Sequence, residues 1–153
     1  MAGGTREANI AFQAAEAGLR GAELAIEGTL SVQSIATMGN GWLTAAPASL
    51  EPDFFAGVTW DIAAPGFDGD SSAVNVAYPE LGALGSRYQP RYVIKHVGDV
   101  ADDATEKQAI AIGGYAQGGV LPRTAVFRVT ARGTSRDGSA ETILQSYFGK
   151  VYE

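Results

Sequence analysis

The stretch "NIAFQAAEAGLRGAELAIEG", residues 9–28, decides how the rest of the chain is understood. At about 100° per residue, Phe12, Ala15, Leu19, Ala22 and Ile26 fall on one side of a helix that runs on to Leu30. Ala11, Gly18 and Ala25 form a small-residue stripe beside it, and Ile10, Ala17 and Leu24 occupy a third side. The polar positions Gln13, Glu16, Arg20, Glu23 and Glu27 crowd into a sector only roughly 80–100° wide. A helix lying on one sheet with its back to water has the reverse balance. The sequence therefore predicts a helix over residues 9–30 that is covered on two sides.

Outward from the helix, composition sets the bounds. The chain has 153 residues, 46% of them hydrophobic, with mean hydropathy +0.00. That suits one domain with a real core and neither a disordered chain nor a membrane-embedded bundle. No run approaches the ~20 apolar residues of a membrane-spanning helix, and no apolar segment of a signal peptide follows Met1. The net charge of −6 and a pI near 4.7 lack the basic footprint of a nucleic-acid binder. The absence of cysteine excludes disulfides, thiolate metal sites and thiol catalysis.

After Gly28 the helical period fades. Residues 38–90 are rich in Gly, Ala, Pro, Ser and Asn, and residues 32–90 predict a long irregular connection with one strand or short helix near Leu50 to Phe55. Trp42, Phe54, Phe55 and Trp60 are the expected core beneath it, and any of them left exposed would be a partner contact. Strands follow. Residues 91–97, RYVIKHV, are β-branched and aromatic. Residues 124–132 alternate Phe127, Val129 and Ala131 against Arg128, Thr130 and Arg132. After an Asp-Gly turn signal at Asp137–Gly138, residues 141–151 return as the second arm of a C-terminal hairpin. Helix, connection and antiparallel strands in that order make an α+β domain. Its parts are the helical residues 1–31, the connecting region 32–90, and the antiparallel sheet with its C-terminal hairpin, 91–153.

Residues 1–23, "MAGGTREANIAFQAAEAGLRGAE", resemble the juxtamembrane segment of PilX-family minor pilins of type IV pili. Met1-Ala2-Gly3, Arg6, Ala11 to Glu16, Leu19-Arg20 and Ala22-Glu23 carry the likeness. Residues 127–152, "FRVTARGTSRDGSAETILQSYFGKVY", resemble the family's closing hairpin. The two segments cover about a third of the chain. The resemblance implies a pilin fold, with the N-terminal helix packed on an antiparallel sheet. It also implies a structural, non-enzymatic role with no cofactor: helping to start pilus assembly in a minor-pilin complex at the filament tip. Other minor pilins, the major pilin and a PilY-type tip adhesin are the implied partners. An inner-membrane anchor preceding Met1 is implied too, with the domain periplasmic before assembly and in the fimbrium afterwards, serving adhesion and twitching motility. Many pilins close their C-terminal region with a disulfide, which this chain must replace with hydrogen bonds or packing.

On that basis the expected partner-contact positions are Ala11, Phe12, Ala15, Gly18, Leu19 and Ala22. Small residues at Ala11, Gly18 and Ala25 would admit a neighbouring helix closely. Two other functions compete: a type II secretion pseudopilin, which shares the architecture, and a surface- or ligand-binding adhesion module whose site lies in the connection.

The remaining chemical signals are weak. His96, the one histidine, lacks a recognisable Ser or carboxylate constellation and suits a structural hydrogen bond in a strand. Asp68-Gly69-Asp70 resembles the start of a calcium loop, but its twelfth position is Pro79, where a glutamate is needed. Asp99, Asp102, Asp103 and Glu106 fit a solvated acidic loop. "GGYAQGG" at residues 113–119 lacks the lysine of a phosphate loop.

Overall fold

A computed structural model of the chain describes residues 2–29, 42–43, 53–60, 74–75, 89–101 and 123–152. One helix, α1 (Ala2–Glu27), precedes two short strands, β1 (Trp42–Leu43) and β2 (Val74–Asn75), and three long ones. These are β3 (Arg91–Ala101), β4 (Arg123–Thr134) and β5 (Glu141–Tyr152). The sheet order is β1-β3-β4-β5, with β2 also on β3. The three long strands run antiparallel, β1 lies parallel to β3, and α1 packs across one face. This is the α+β pilin-like arrangement: a helix on an antiparallel sheet closed by a hairpin.

The helix begins at Ala2, ahead of the periodic stretch and within the residues 1–31 assigned to it. It stops at Glu27, where Gly28 and Thr29 turn back on Leu24 and Ile26 through backbone bonds of 3.0 and 3.1 Å. Leu30, the predicted last residue, lies outside the described residues. So do most of the connection, Leu50, Asp68 to Ser72, Asp102, Asp103, Glu106 and residues 113–119.

The alternation predicted for β4 is present. Ala125, Phe127, Val129 and Ala131 are fully buried under the helix, beside Tyr92 and Ile94 of β3. Ala22 and Ile26 of α1 complete this core, with Trp42 edge-on to Phe127 at 6.2 Å between ring centres. Each fully buried Ile, Val or Phe side chain contributes about 1.5–3 kcal/mol, so these few residues hold helix and sheet together. A smaller cluster sits on the opposite face, where Val93 meets Trp60 and Phe54. Trp60 donates its indole N–H to the Phe54 carbonyl at 2.8 Å. Phe55 departs from its expected place: it is 85% exposed, because the turn that directs Phe54 inward turns its neighbour out. In that turn Asp53 accepts the Phe55 amide at 2.9 Å.

The hairpin turn is built around Asp137. One carboxylate oxygen accepts from the Ser135 hydroxyl (2.9 Å), the Ser139 amide (2.9 Å) and the Ser139 hydroxyl (2.6 Å). Gly138 follows with φ +74°, a left-handed conformation that glycine adopts without steric cost. The bonds from Ser139 and Ser135 favour the ionised acid and lower the Asp137 pKa from 3.8 to about 2.

Two predictions arise from this framework. A Cβ on Gly133 would overlap the Ala11 carbonyl oxygen and the Ala15 amide nitrogen. Gly133→Val must therefore push the helix off β4, costing at least about 3 kcal/mol. In a chain of this size that is a fall of roughly 6–12 °C in Tm by calorimetry. The depressed Asp137 pKa makes its contribution to stability complete above about pH 4 and lost as pH falls from 3.8 towards 2. Asp137→Ala should melt below the parent at pH 6, and thermal melts at pH 2 should show the two converging.

The candidate partner-contact face of the helix

Four of the six residues expected to meet a partner are turned onto the domain's own sheet. Ala11, Ala15 and Ala22 have no exposed surface. Gly18 is buried as well, its Cα so placed that a Cβ would stand 3.1 Å from that of Ala131 and 3.4 Å from the Arg91 carbonyl oxygen. Leu19 is half-buried and packs against the core, and only Phe12 stands out, 44% exposed. The expectation that Ala11 and Gly18 open a path for a foreign helix is thus corrected: small residues here bring α1 close to β4. The physical ground for expecting small residues at a close contact holds, but the contact is internal.

With Ala11, Ala14, Ala15, Gly18, Ala22 and Ile26 facing inward, the opposite side carries Gln13, Glu16, Arg20 and Glu27. Apolar side chains flank that polar strip on both sides. Phe12 lies along one flank. Along the other run Ile10, Ala17 and Leu24 at seven-residue spacing, Ile10 and Ala17 half-buried and Leu24 69% exposed. The third side seen in the sequence is thus the one the fold leaves most open. An exposed leucine beyond a face already packed on the sheet gains nothing from the domain's own core.

The C-terminal end of α1 is fastened to β5. Lys150 extends from the strand and donates from Nζ to the carbonyl oxygens of Ile26 (3.0 Å), Glu27 (2.7 Å) and Thr29 (2.5 Å). These are carbonyls of the helix end and the turn beyond it, where the helix dipole is negative and a cation is favoured. The Thr29 hydroxyl is 2.6 Å from both the Ile26 carbonyl, to which it donates, and the Tyr152 hydroxyl. The lysine ammonium also lies 5.0 Å from the centre of the Tyr152 ring. Helix end and last strand are thus tied together by Lys150, Thr29 and Tyr152. The partners are more than 120 positions apart, and nothing in either local sequence marks them as a pair.

His96 makes the structural hydrogen bond expected of it, its Nε2 2.8 Å from an Asp99 carboxylate oxygen. Asp99 therefore belongs to β3 and not to an acidic loop. In a regular strand, residues three apart point to opposite faces. A bulge between His96 and Gly98 shifts the register, so that His96 sits opposite Phe127 and Asp99 opposite Ala125, both on the helix-facing side. The imidazole lies 5.3 Å from the Phe127 ring, centre to centre. Among the described residues no three His, Cys, Asp or Glu side chains gather in a way that would hold a metal. None of the described helices is long and apolar enough to cross a membrane.

The family model for the C-terminal part of the type IV pilus assembly protein PilX matches residues 13–150. Comparisons with curated proteins and with solved structures gave no match.

The lysine anchor makes a prediction of its own. Lys150→Met keeps the packing stem and removes three charge-assisted bonds, each worth about 1.5–3 kcal/mol gross but leaving carbonyls that water can reach. The net cost should be about 2 kcal/mol, with hydrogen exchange accelerated at the amides of residues 26–29 while those of β3 and β4 stay protected.

Proposed function

The chain belongs to the PilX family of type IV pilus assembly proteins, and from that premise we propose that it is a structural minor pilin helping to initiate assembly. In this reading it joins other minor pilins in a priming complex at the filament tip, where a PilY-type adhesin is a further partner. The domain is held at the inner membrane in the periplasm before assembly and resides in the pilus afterwards, supporting adhesion and twitching motility. The observation that carries the reading is the family match, which runs from within α1 almost to the end of β5. The geometry of α1 supports it: one face is committed to the sheet, while Phe12 and Leu24 leave apolar surface on its flanks.

Contact with neighbouring subunits is therefore assigned to Phe12 and to the flank of Ile10, Ala17 and Leu24. Leu19, on the same side of the helix, packs against the core. The buried positions Ala11, Ala15, Gly18 and Ala22 act indirectly, by setting how far α1 stands off the sheet. The mechanism is helix packing against other pilin helices, with no chemical step.

A chromosomal Leu24→Glu substitution tests this. Moving the new carboxylate into an apolar contact costs more than the about 1.4 kcal/mol that a tenfold change represents. Surface piliation should fall at least about tenfold, while the variant chain melts like the parent because Leu24 is exposed. Normal piliation would reject Leu24 as a contact. Gly18→Glu is the contrasting substitution: it should destabilise the domain itself, since Ala131 and the Arg91 backbone occupy the space.

A further inference from the structure

The strip of α1 turned away from the sheet is divided lengthwise by charge. At about 100° per residue, Arg6, Gln13 and Arg20 run in a row beside Ile10, Ala17 and Leu24, each row repeating every seven residues. Across the strip, Glu16 and Glu23 run in a row beside Phe12 and Leu19, with Glu27 between the two rows of charge. One apolar flank is therefore bordered by arginines and no acid, and the other by glutamates and no base. Arg6, Glu16, Arg20 and Glu27 are exposed, and Glu23 is half-buried. Among the described residues no ion pair engages any of these charges. Yet Arg20 lies four residues after Glu16 and three before Glu23, spacings at which helical charges commonly meet.

Sorted charge of this kind fixes how helices line up. In coiled coils the charges that border an apolar seam select the partner and its direction. Subunits held in one membrane bring their helices alongside one another in parallel. With both sheets turned the same way, the Leu24 flank of one helix faces the Phe12 flank of the next. The row of Arg6 and Arg20 then lies against the row of Glu16 and Glu23. In register, Arg20 stands level with the gap between the two glutamates. Displaced by two turns, so that position 20 meets position 27, it stands level with Glu27. Two helices joined through the same flank would have to turn their sheets opposite ways, with no glutamate row facing the arginines.

We propose that α1 is a two-sided, directional docking surface for neighbouring helices. Its Leu24 flank takes a parallel helix of another pilus subunit whose apolar row is bordered by glutamates. Its Phe12 flank takes one whose apolar row is bordered by arginine or lysine. Each contact is heterologous, so a row of subunits acquires a direction, as an open-ended assembly requires. This rests on the assignment of the α1 flanks to subunit contact, and adds to it which kind of neighbour stands on which side.

Photo-crosslinking in piliated cells tests the sorting, with a benzophenone amino acid placed at position 24 or at position 12 of the chromosomally encoded protein. Each position should give an adduct to another pilus subunit, identified by mass spectrometry. Arg20→Glu should lower the adduct at position 24 at least about fivefold, as an attraction becomes a repulsion, and leave the adduct at position 12 unchanged. Glu16→Lys combined with Glu23→Lys should do the opposite, and Arg20→Lys should preserve both adducts. Purified variants should melt like the parent, since none of these side chains belongs to the core. An adduct at position 24 indifferent to Arg20→Glu would overturn the charge sorting while leaving Leu24 a contact. Equal loss of both adducts in either reversal would overturn it too, since that reports a general defect. With no subunit adduct at either position, the flank assignment falls and the charge sorting falls with it.

Discussion

The closeness of α1 to β4 is the constraint on which the rest of the domain depends. At Gly133 there is no room for a single carbon between strand and helix backbone, and the facing helix positions are Ala11, Ala14 and Ala15. One turn further on, Gly18 rides over Ala131 at a distance that again leaves no space for a larger side chain. Small residues on both surfaces let the backbones approach, and the larger residues Ile26, Ile94, Phe127 and Trp42 pack in the same core. Glycine at position 18 lowers helix propensity by up to about 1 kcal/mol relative to alanine, and the packing offsets that loss.

Fixing the helix at this distance determines which of its sides remain available. Once the alanine and glycine stripe is spent inside the domain, an outside partner can reach only the polar strip and its apolar flanks. Two kinds of adhesion are thereby separated on one element: a close, backbone-to-backbone contact within the chain, and a side-chain contact at Phe12 and Leu24 outside it. The lower end of α1 is held by a different means. Lys150 and Thr29 bond the carbonyls of the helix end, and Tyr152 joins the same group, so the final strand and the helix end are joined.

The bulge in β3 shows how a small irregularity gives a side chain its partner. His96 and Asp99 can meet only because the extra residue at Val97 brings both to the helix-facing side. Their bond braces the end of β3 against Phe127. The far face is sealed over Val93 by Trp60 and Phe54, while Tyr147 and Val151 of the outer strand are exposed.

Much of this was legible in the sequence. The 3.6-residue period of residues 9–28, the strict alternation around Phe127 and the Asp-Gly turn are local signals, because each depends on residues within one or two turns of the chain. They suffice for a helix, a hairpin and an α+β order, and for a shortage of polar surface on the helix. Which apolar stripe meets the sheet is a different kind of question, since Ala11–Gly18 and Ile10–Leu24 are equally periodic. That choice was made by Gly133 and Ala131, more than a hundred residues away, which accept only small partners. The same holds for Lys150 and Thr29, and for Phe55 beside Phe54. Periodicity tells how many faces a helix has to cover, and only the surface it lands on decides which face is covered from within.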